Sequence, residues 1–98
     1  MPGGRPLLEA LEIWTIHERP PDYPHNYVAR CTLIVRGNPK EVVTNTVLLG
    51  SLQMLRTYFA QHHFVCDPRR PKDVATIVES WMAPETLAMI RAGEKLMQ

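Results

Sequence analysis

The chain has 98 residues, 45% of them hydrophobic and 21% charged, and a net charge of +1. This length fits one domain, and the composition is that of a globular rather than a disordered protein. No apolar run approaches the roughly 20 residues that span a bilayer, so we expect a soluble, cytoplasmic protein without a membrane partner. The two cysteines are too few for a disulfide scaffold, and we expect Cys31 to be a buried, reduced thiol.

Residues 1–10 contain two glycines and two prolines, which predicts a flexible leader ahead of a single domain at 11–98. Residues 11–18 are dominated by aromatic and β-branched types, and we predict a strand there. Trp14 and Ile16 would share one face of it. Both tryptophans, Trp14 and Trp81, are expected to be core anchors, because large aromatic side chains dominate the burial available to a small domain.

The clearest periodic signal is the stretch 27–36, which alternates strictly with a period of two. One parity is apolar, and the other is mixed and carries Arg30 and Arg36. The apolar set consists of Tyr27, Ala29, Cys31, Leu33 and Val35. The loop before it, 19–26, contains three prolines and excludes both helix and central strand. We therefore predict a wide hairpin joining two strands through a stiff loop.

Residues 37–40 have the composition of a turn. The next segment is ambiguous, because its β-branched residues favour a strand whereas a helix would have to absorb Gly50. We favour an edge strand at 42–49. Ser51 then suits an N-cap, followed by a helix of about ten residues that ends at His62. This helix should cover the apolar parity of the main strand, since a sheet must bury one face.

The chain after this helix is less regular. Residues 63–66 suggest a short extended piece, and 67–73 form a polar loop with two prolines. Residues 74–82 fit a helical stripe by periodicity and a strand by propensity. A final helix should start near Pro84, and it could dock on the domain or face a second chain. Its apolar side would carry Met89, Ile90, Gly93, Leu96 and Met97.

Three short patterns resemble a group of small uncharacterised bacterial and phage-encoded proteins. They are Tyr-Pro-x-x-Tyr-Val-Ala-Arg at 23–30, Ser-Leu-x-x-Leu-Arg at 51–56 and Ile-Val-Glu-x-Trp at 77–81. The resemblance covers about residues 12–82 and implies no known activity, cofactor or catalytic residue. It implies a strand at 75–82 and hence a ββ(β)αβα order. The fold we predict is α+β, an antiparallel sheet of three or four strands covered on one face by a helix, with a C-terminal helix.

The proline-held loop carries the first candidate site. Asp22, Tyr23 and His25 could form an acid–base cluster with Arg30 or His17, and loops held by prolines are good platforms for function. The alternative is a packed corner in which Tyr23 covers the sheet edge. We favour the corner, because no nucleophile motif or phosphate cradle accompanies the loop.

The second candidate is the basic middle of the chain. Residues 27–72 contain seven basic and two acidic residues, whereas each end has two basic and four acidic ones. An anionic partner such as a nucleic acid would need these cations on one face, but they could also pair with the acidic ends. The sequence pI of about 7.9 is low for a dedicated nucleic-acid-binding domain. The cations are Arg30, Arg36, Lys40, Arg56, Arg69, Arg70 and Lys72.

A metal site has weaker support. His62, His63 and Cys66 have side chains that bind zinc, but a structural site needs four ligands and no second close pair exists. Histidines at a helix C-terminus also suit the negative end of its dipole. We therefore predict no metal and no cofactor.

The sequence favours a small accessory or protein-interaction module over an enzyme, since no catalytic activity can be derived from it. Such a module should expose an apolar surface that self-associates or binds a protein partner. The candidate surfaces are the edge strand at 42–49 and the helix face around Met89. The alternative is a nucleic-acid-binding accessory protein that uses the basic middle, with Arg69 and Arg70 as its main contacts.

Overall fold

The computed structural model describes residues 10–35, 41–69 and 75–96. The predicted leader, apart from Ala10, and the predicted turn at 37–40 lie outside these residues. Ala10 already belongs to the first strand. The elements are β1 (Ala10–Glu18), β2 (Tyr27–Val35), β3 (Glu41–Gly50), α1 (Leu52–Gln61), β4 (Val65–Pro68), β5 (Ile77–Met82) and α2 (Pro84–Leu96).

The strands form one antiparallel sheet in the order β3-β2-β1-β5-β4, which confirms the predicted α+β fold. The sheet has five strands instead of the predicted three or four. The extra strand is β4, whose four residues pair with β5 at the far edge. A four-residue strand that ends in a proline is too short to show a clear period of two, so its sequence indicated only an extended piece.

The predicted wide hairpin is present. β1 and β2 pair without interruption from Glu18 opposite Tyr27 to Ala10 opposite Val35. The loop between them is closed at its base, where the N–H of Arg19 donates to the carbonyl of Asn26 over 3.0 Å. Two tight turns fill the loop, because Tyr23 N–H donates to the Pro20 carbonyl and Asn26 N–H to the Tyr23 carbonyl.

The ambiguous segment after the hairpin is a strand, as favoured, and β3 lies at one edge of the sheet. Its pairing with β2 is interrupted by a bulge between the pairs Arg30–Val47 and Thr32–Val43. The hydroxyl of Thr44 forms hydrogen bonds to both strands at this bulge. It donates to the Cys31 carbonyl over 3.0 Å and accepts from the N–H of Thr46 over 3.1 Å.

Helix α1 begins where the capping signal predicted it, since the Ser51 hydroxyl accepts from the N–H of Met54 over 3.1 Å. The helix buries Leu55 and Phe59 against one face of the sheet, here called the covered face. Phe59 is fully buried, and its ring centroid lies 5.5 Å from that of Trp14 and 5.9 Å from that of Trp81. Burying a phenylalanine contributes about 2–3 kcal/mol, so this contact fixes the helix on the sheet.

A row of cross-strand neighbours on the covered face runs from Cys31 through Trp14 and Trp81 to Cys66. Both tryptophans are buried, which confirms their prediction as core anchors. Strands are spaced about 4.8 Å apart, so the two cysteines are separated by about 14 Å and are free thiols. This is about twice the Cα separation that a disulfide allows.

The opposite face, here called the second face, is less open than the mixed parity of β2 predicted, because Val28 is fully buried there. Helix α2 lies over the β4 end of this face, where Arg91 Nη2 is 3.5 Å from Asp67 Oδ1. Thr86 of this helix is buried and Met89 is 59% exposed, so at Met89 the predicted apolar stripe does not dock on the domain. Among the described residues, neither helix is long and apolar enough to cross a membrane.

Candidate functional site

The loop end of the second face brings together three of the residues considered for an acid–base cluster. Arg30 Nη2 donates to the carboxylate of Asp22, and this ion pair ties the loop to β2. His17, on the neighbouring strand, places its Nδ1 atom 3.0 Å from the hydroxyl of Thr76, just before β5. The N–H of Glu18 also donates to the Thr76 carbonyl over 2.8 Å, so the chain before β5 is fixed at this corner.

The electrostatics of this corner follow from its partial burial. Loss of solvent lowers the pKa of His17 below its usual 6.5, and the positive charge of Arg30 lowers it further, whereas Asp22 opposes the shift. The hydrogen bond from Arg30 lowers the pKa of the Asp22 carboxyl. At neutral pH the His17 imidazole is therefore uncharged, and it lies beside the Arg30–Asp22 ion pair, whose two charges cancel.

The two other loop residues singled out from the sequence lie apart from this pair. Tyr23 is half-buried, and its backbone contributes to the turns of the loop. The side chain of His25 is exposed. The structure thus brings Asp22, Arg30 and His17 together and leaves His25 in solvent.

A second charged cluster, not anticipated from the sequence, lies on the covered face around Glu79. Arg56 of α1 binds this carboxylate through both Nε and Nη2, over 2.9 and 2.8 Å. The indole N–H of Trp81 donates to the same carboxylate over 2.8 Å, and the thiol of Cys66 is also hydrogen-bonded to it. Glu79 is only 6% exposed, and the hydrogen bonds from Arg56 lower its pKa.

A short sequence signal could have revealed this cluster. The pattern Glu-x-Trp occurs twice, at 12–14 and 79–81. In both places the indole N–H donates to the carboxylate two residues earlier, and Trp14 and Trp81 are direct cross-strand partners. The two units differ in their surroundings, because Glu12 is exposed and Glu79 lies beneath Arg56.

The weak metal candidates are used in other ways. The ring of His62 packs against Tyr58 with centroids 4.3 Å apart, and Cys66 belongs to the Glu79 cluster. Burial, followed by the charge of Glu79, raises the pKa of the Cys66 thiol to about 11, so it is protonated at neutral pH. Within residues 10–35, 41–69 and 75–96, no group of three or more His, Cys, Asp or Glu side chains could hold a metal ion.

The basic residues of the middle of the chain do not share one face as far as they are described. Arg30 lies on the second face and is paired with Asp22, whereas Arg56 lies on α1 above the covered face and is paired with Glu79. Arg69 follows β4 and is exposed. Arg36 and Arg70, with Lys40 and Lys72, lie outside the described residues.

The two edges of the sheet are built differently. The β4 edge has four residues, ends in Pro68 and lies beside α2. The β3 edge has ten residues, and in the described parts of the chain no strand pairs with its outer side. Leu49, near the end of β3, is 46% exposed. A long edge strand presents a row of free backbone donors and acceptors, so β3 is the candidate interaction element.

Helix α1 extends this surface beside the end of β3. Its outer side forms a shallow depression of about 460 Å³, and Met54 and Tyr58 are 65% and 42% exposed. None of the residues lining the depression is charged, and Arg56, the single charged residue of α1, is bound to Glu79. The lining residues are Ser51, Gln53, Met54, Thr57, Tyr58 and Gln61.

Comparisons with known proteins returned no match among family models, curated proteins or solved structures.

Proposed function

We propose that this protein is a small cytoplasmic accessory module that binds a protein partner by strand addition at β3. The observation that carries the proposal is the contrast between the two edges of the sheet. One edge is short and lies beside α2, whereas β3 has ten residues and no described strand pairs with its outer side. Strand addition to an exposed sheet edge is a general mode of peptide recognition, in which backbone hydrogen bonds supply much of the affinity.

The bulge in β3 supports a defined binding segment. Thr44 already satisfies the local backbone groups at the bulge, where its hydroxyl links Cys31 and Thr46. The regular part that follows, residues 47–50, pairs with β2 on its inner side only. This segment is therefore the part of the edge best prepared to accept another strand.

The uncharged outer side of α1 supports the same assignment. Interface cores are depleted of charged residues and enriched in tyrosine and methionine. Met54 and Tyr58 are exposed on this side, and a Cβ placed on Gly50 would lie 3.7 Å from Cβ of Met54. The helix surface and the end of the edge strand are thus adjacent, and a strand added to β3 would pack its side chains beside α1.

Selection of displayed random ten-residue peptides on the immobilised chain tests the proposal. We expect bound peptides with apolar residues at alternate positions, because successive side chains of an added strand point to opposite faces. Leu49→Lys should weaken their binding about tenfold or more, since a lysine on an edge strand opposes pairing. The matched control is Met89→Lys, which places the same charge at an exposed residue of α2 and should leave binding unchanged. Equal binding by both variants, or a selection without binders on a chain that is monomeric, would contradict strand addition at β3.

A further inference from the structure

We infer that the strand added to β3 is β3 of a second copy of this chain, so that the protein forms a twofold dimer. This inference rests on the proposed use of the β3 edge and names its partner. It also assigns the outer side of α1 to the same interface.

The charge of the surface favours a second copy. In a twofold interface the same patch faces itself, so charges close to the axis would meet their own copies and repel each other. Glu41, which precedes the bulge, is the single charged residue of β3, and none of the residues that line the depression on α1 is charged. The exposed side of α2 is different, since it carries Glu85 and Arg91. The patch around β3 and α1 can therefore meet its own copy without repulsion.

The register follows from the bulge and the exposed leucine. The bulge between the Arg30–Val47 and Thr32–Val43 pairs interrupts the edge, so regular antiparallel pairing of the two β3 strands should centre on the segment after it, near Leu48. Leu49 then lies opposite Val47 of the second copy, and both point to the second face. This apolar cross-strand pair would cover the exposed side chain of Leu49.

The same symmetry brings the two α1 helices to one side of the combined sheet. A twofold axis perpendicular to the sheet keeps the covered faces of both copies on the same side. Met54 lies beside Gly50 at the end of β3, so the uncharged side of α1 would face the α1 of the second copy across the junction.

Sedimentation velocity of the full chain over a dilution series tests this inference, with Met54→Glu as the decisive variant. Met54 is the third residue after the cap Ser51, so a glutamate there completes a capping box and should preserve or raise the stability of α1. In the dimer it places two like charges across the twofold junction, and we expect the dissociation constant to rise about 100-fold. Met89→Glu, at a similarly exposed methionine of α2, should leave the dimer intact.

The outcomes separate this inference from the proposed function. A monomer at all concentrations that still binds displayed peptides through β3 would overturn the second copy and leave strand addition standing. A dimer that resists both Met54→Glu and Leu49→Lys would overturn the assigned interface, and a concurrent failure of peptide selection would overturn strand addition as well. A dimer lost in both variants and kept in Met89→Glu supports the inference.

Discussion

The two arginine–carboxylate pairs of this protein use the same chemistry in opposite surroundings. Arg56 and Glu79 meet between α1 and the covered face, with two parallel hydrogen bonds and a carboxylate that is almost fully buried. Arg30 and Asp22 meet on the second face, where the side chains are 33% and 53% exposed. The first pair joins a helix to a sheet, and the second fixes a loop to a strand.

Their surroundings decide what each pair contributes. A buried carboxylate that loses its cationic partner is still desolvated, and no attraction then offsets that free-energy cost. Loss of the Arg56–Glu79 pair should therefore lower the stability of the fold strongly. An exposed pair is screened by water, and its loss leaves both groups solvated. Arg56 is thus a stability residue, whereas Arg30 mainly sets the electrostatics of the loop corner around His17.

The largest contrast should appear when each arginine is replaced by methionine, which keeps most of the stem. We expect Arg56→Met to lower the free energy of unfolding by about 3 kcal/mol, at the lower end for buried pairs because Arg56 is itself half-exposed. Arg30→Met should change it little, since the side chains of Arg30 and Asp22 are 33% and 53% exposed and this pair is screened by water. Urea unfolding at neutral pH measures both.

Adding Glu79→Gln to Arg56→Met should restore part of the lost stability, because the amide oxygen still accepts from the Trp81 indole and no charge is buried. Equal losses in the two methionine variants would refute the distinction.

A smaller effect should appear on acidification. The pKa of Glu79 is below its usual 4.5, so the free energy by which its ionised carboxylate stabilises the fold is fully present above pH 4.5. This stabilisation is lost as the pH falls through the lowered pKa of the folded state. Without Arg56, burial would instead raise the pKa of Glu79. The difference in unfolding free energy between wild type and Arg56→Met should therefore shrink between about pH 6 and pH 3.5. A difference that stays constant over this range would mean that Glu79 is not the group responsible.

The smallest effect concerns the histidine of the loop corner, and it should have opposite signs in two variants. Arg30→Gln removes a cation and should raise the pKa of His17, whereas Asp22→Asn removes an anion and should lower it further. Nuclear magnetic resonance titration of the His17 imidazole measures both shifts. Because the folded pKa of His17 is below 6.5, the unfolded chain binds the proton more tightly. Stability should therefore fall as pH drops through 6.5 towards the folded value, and less so in Arg30→Gln. Shifts of the same sign would show that neither charge acts on His17.

Much of the fold could be predicted because its long strands repeat with a period of two. β2 buries the apolar parity that the sequence indicated, and Ser51 caps the helix that covers it. The strand β4 was indicated only as an extended piece, because four residues give no usable period. The sequence left open whether the apolar stripe of α2 docks on the domain or faces a second chain, and the burial of polar Thr86 is not visible as apolar periodicity.

The candidate site was predictable only where the chain folds back locally. Asp22 lies within the closed loop and Arg30 lies on β2 eight positions later, so their meeting follows from the hairpin. Arg56 and Glu79 are 23 positions apart, and only the pairing of β5 with β1 beneath α1 brings them together. A glutamate on a strand is normally solvent-exposed. The Glu-x-Trp pattern indicates the bond to the indole but not the burial of Glu79, since Glu12 has the same pattern and is exposed.

The position of β5 has a consequence for how the chain folds during synthesis. β1, β2 and β3 are consecutive hairpin-connected strands that can pair as soon as residue 50 has been made. The other side of β1, however, belongs to residues 77–82, which are synthesised only after α1 and β4. Until then β1 presents an open edge beside Trp14, and the nascent chain carries an aggregation-prone surface that the finished protein removes by inserting β5. The long loop between β1 and β5 must close before these two strands can pair. The entropy cost of this closure should slow folding relative to a sheet in which every strand pairs with the next one in sequence.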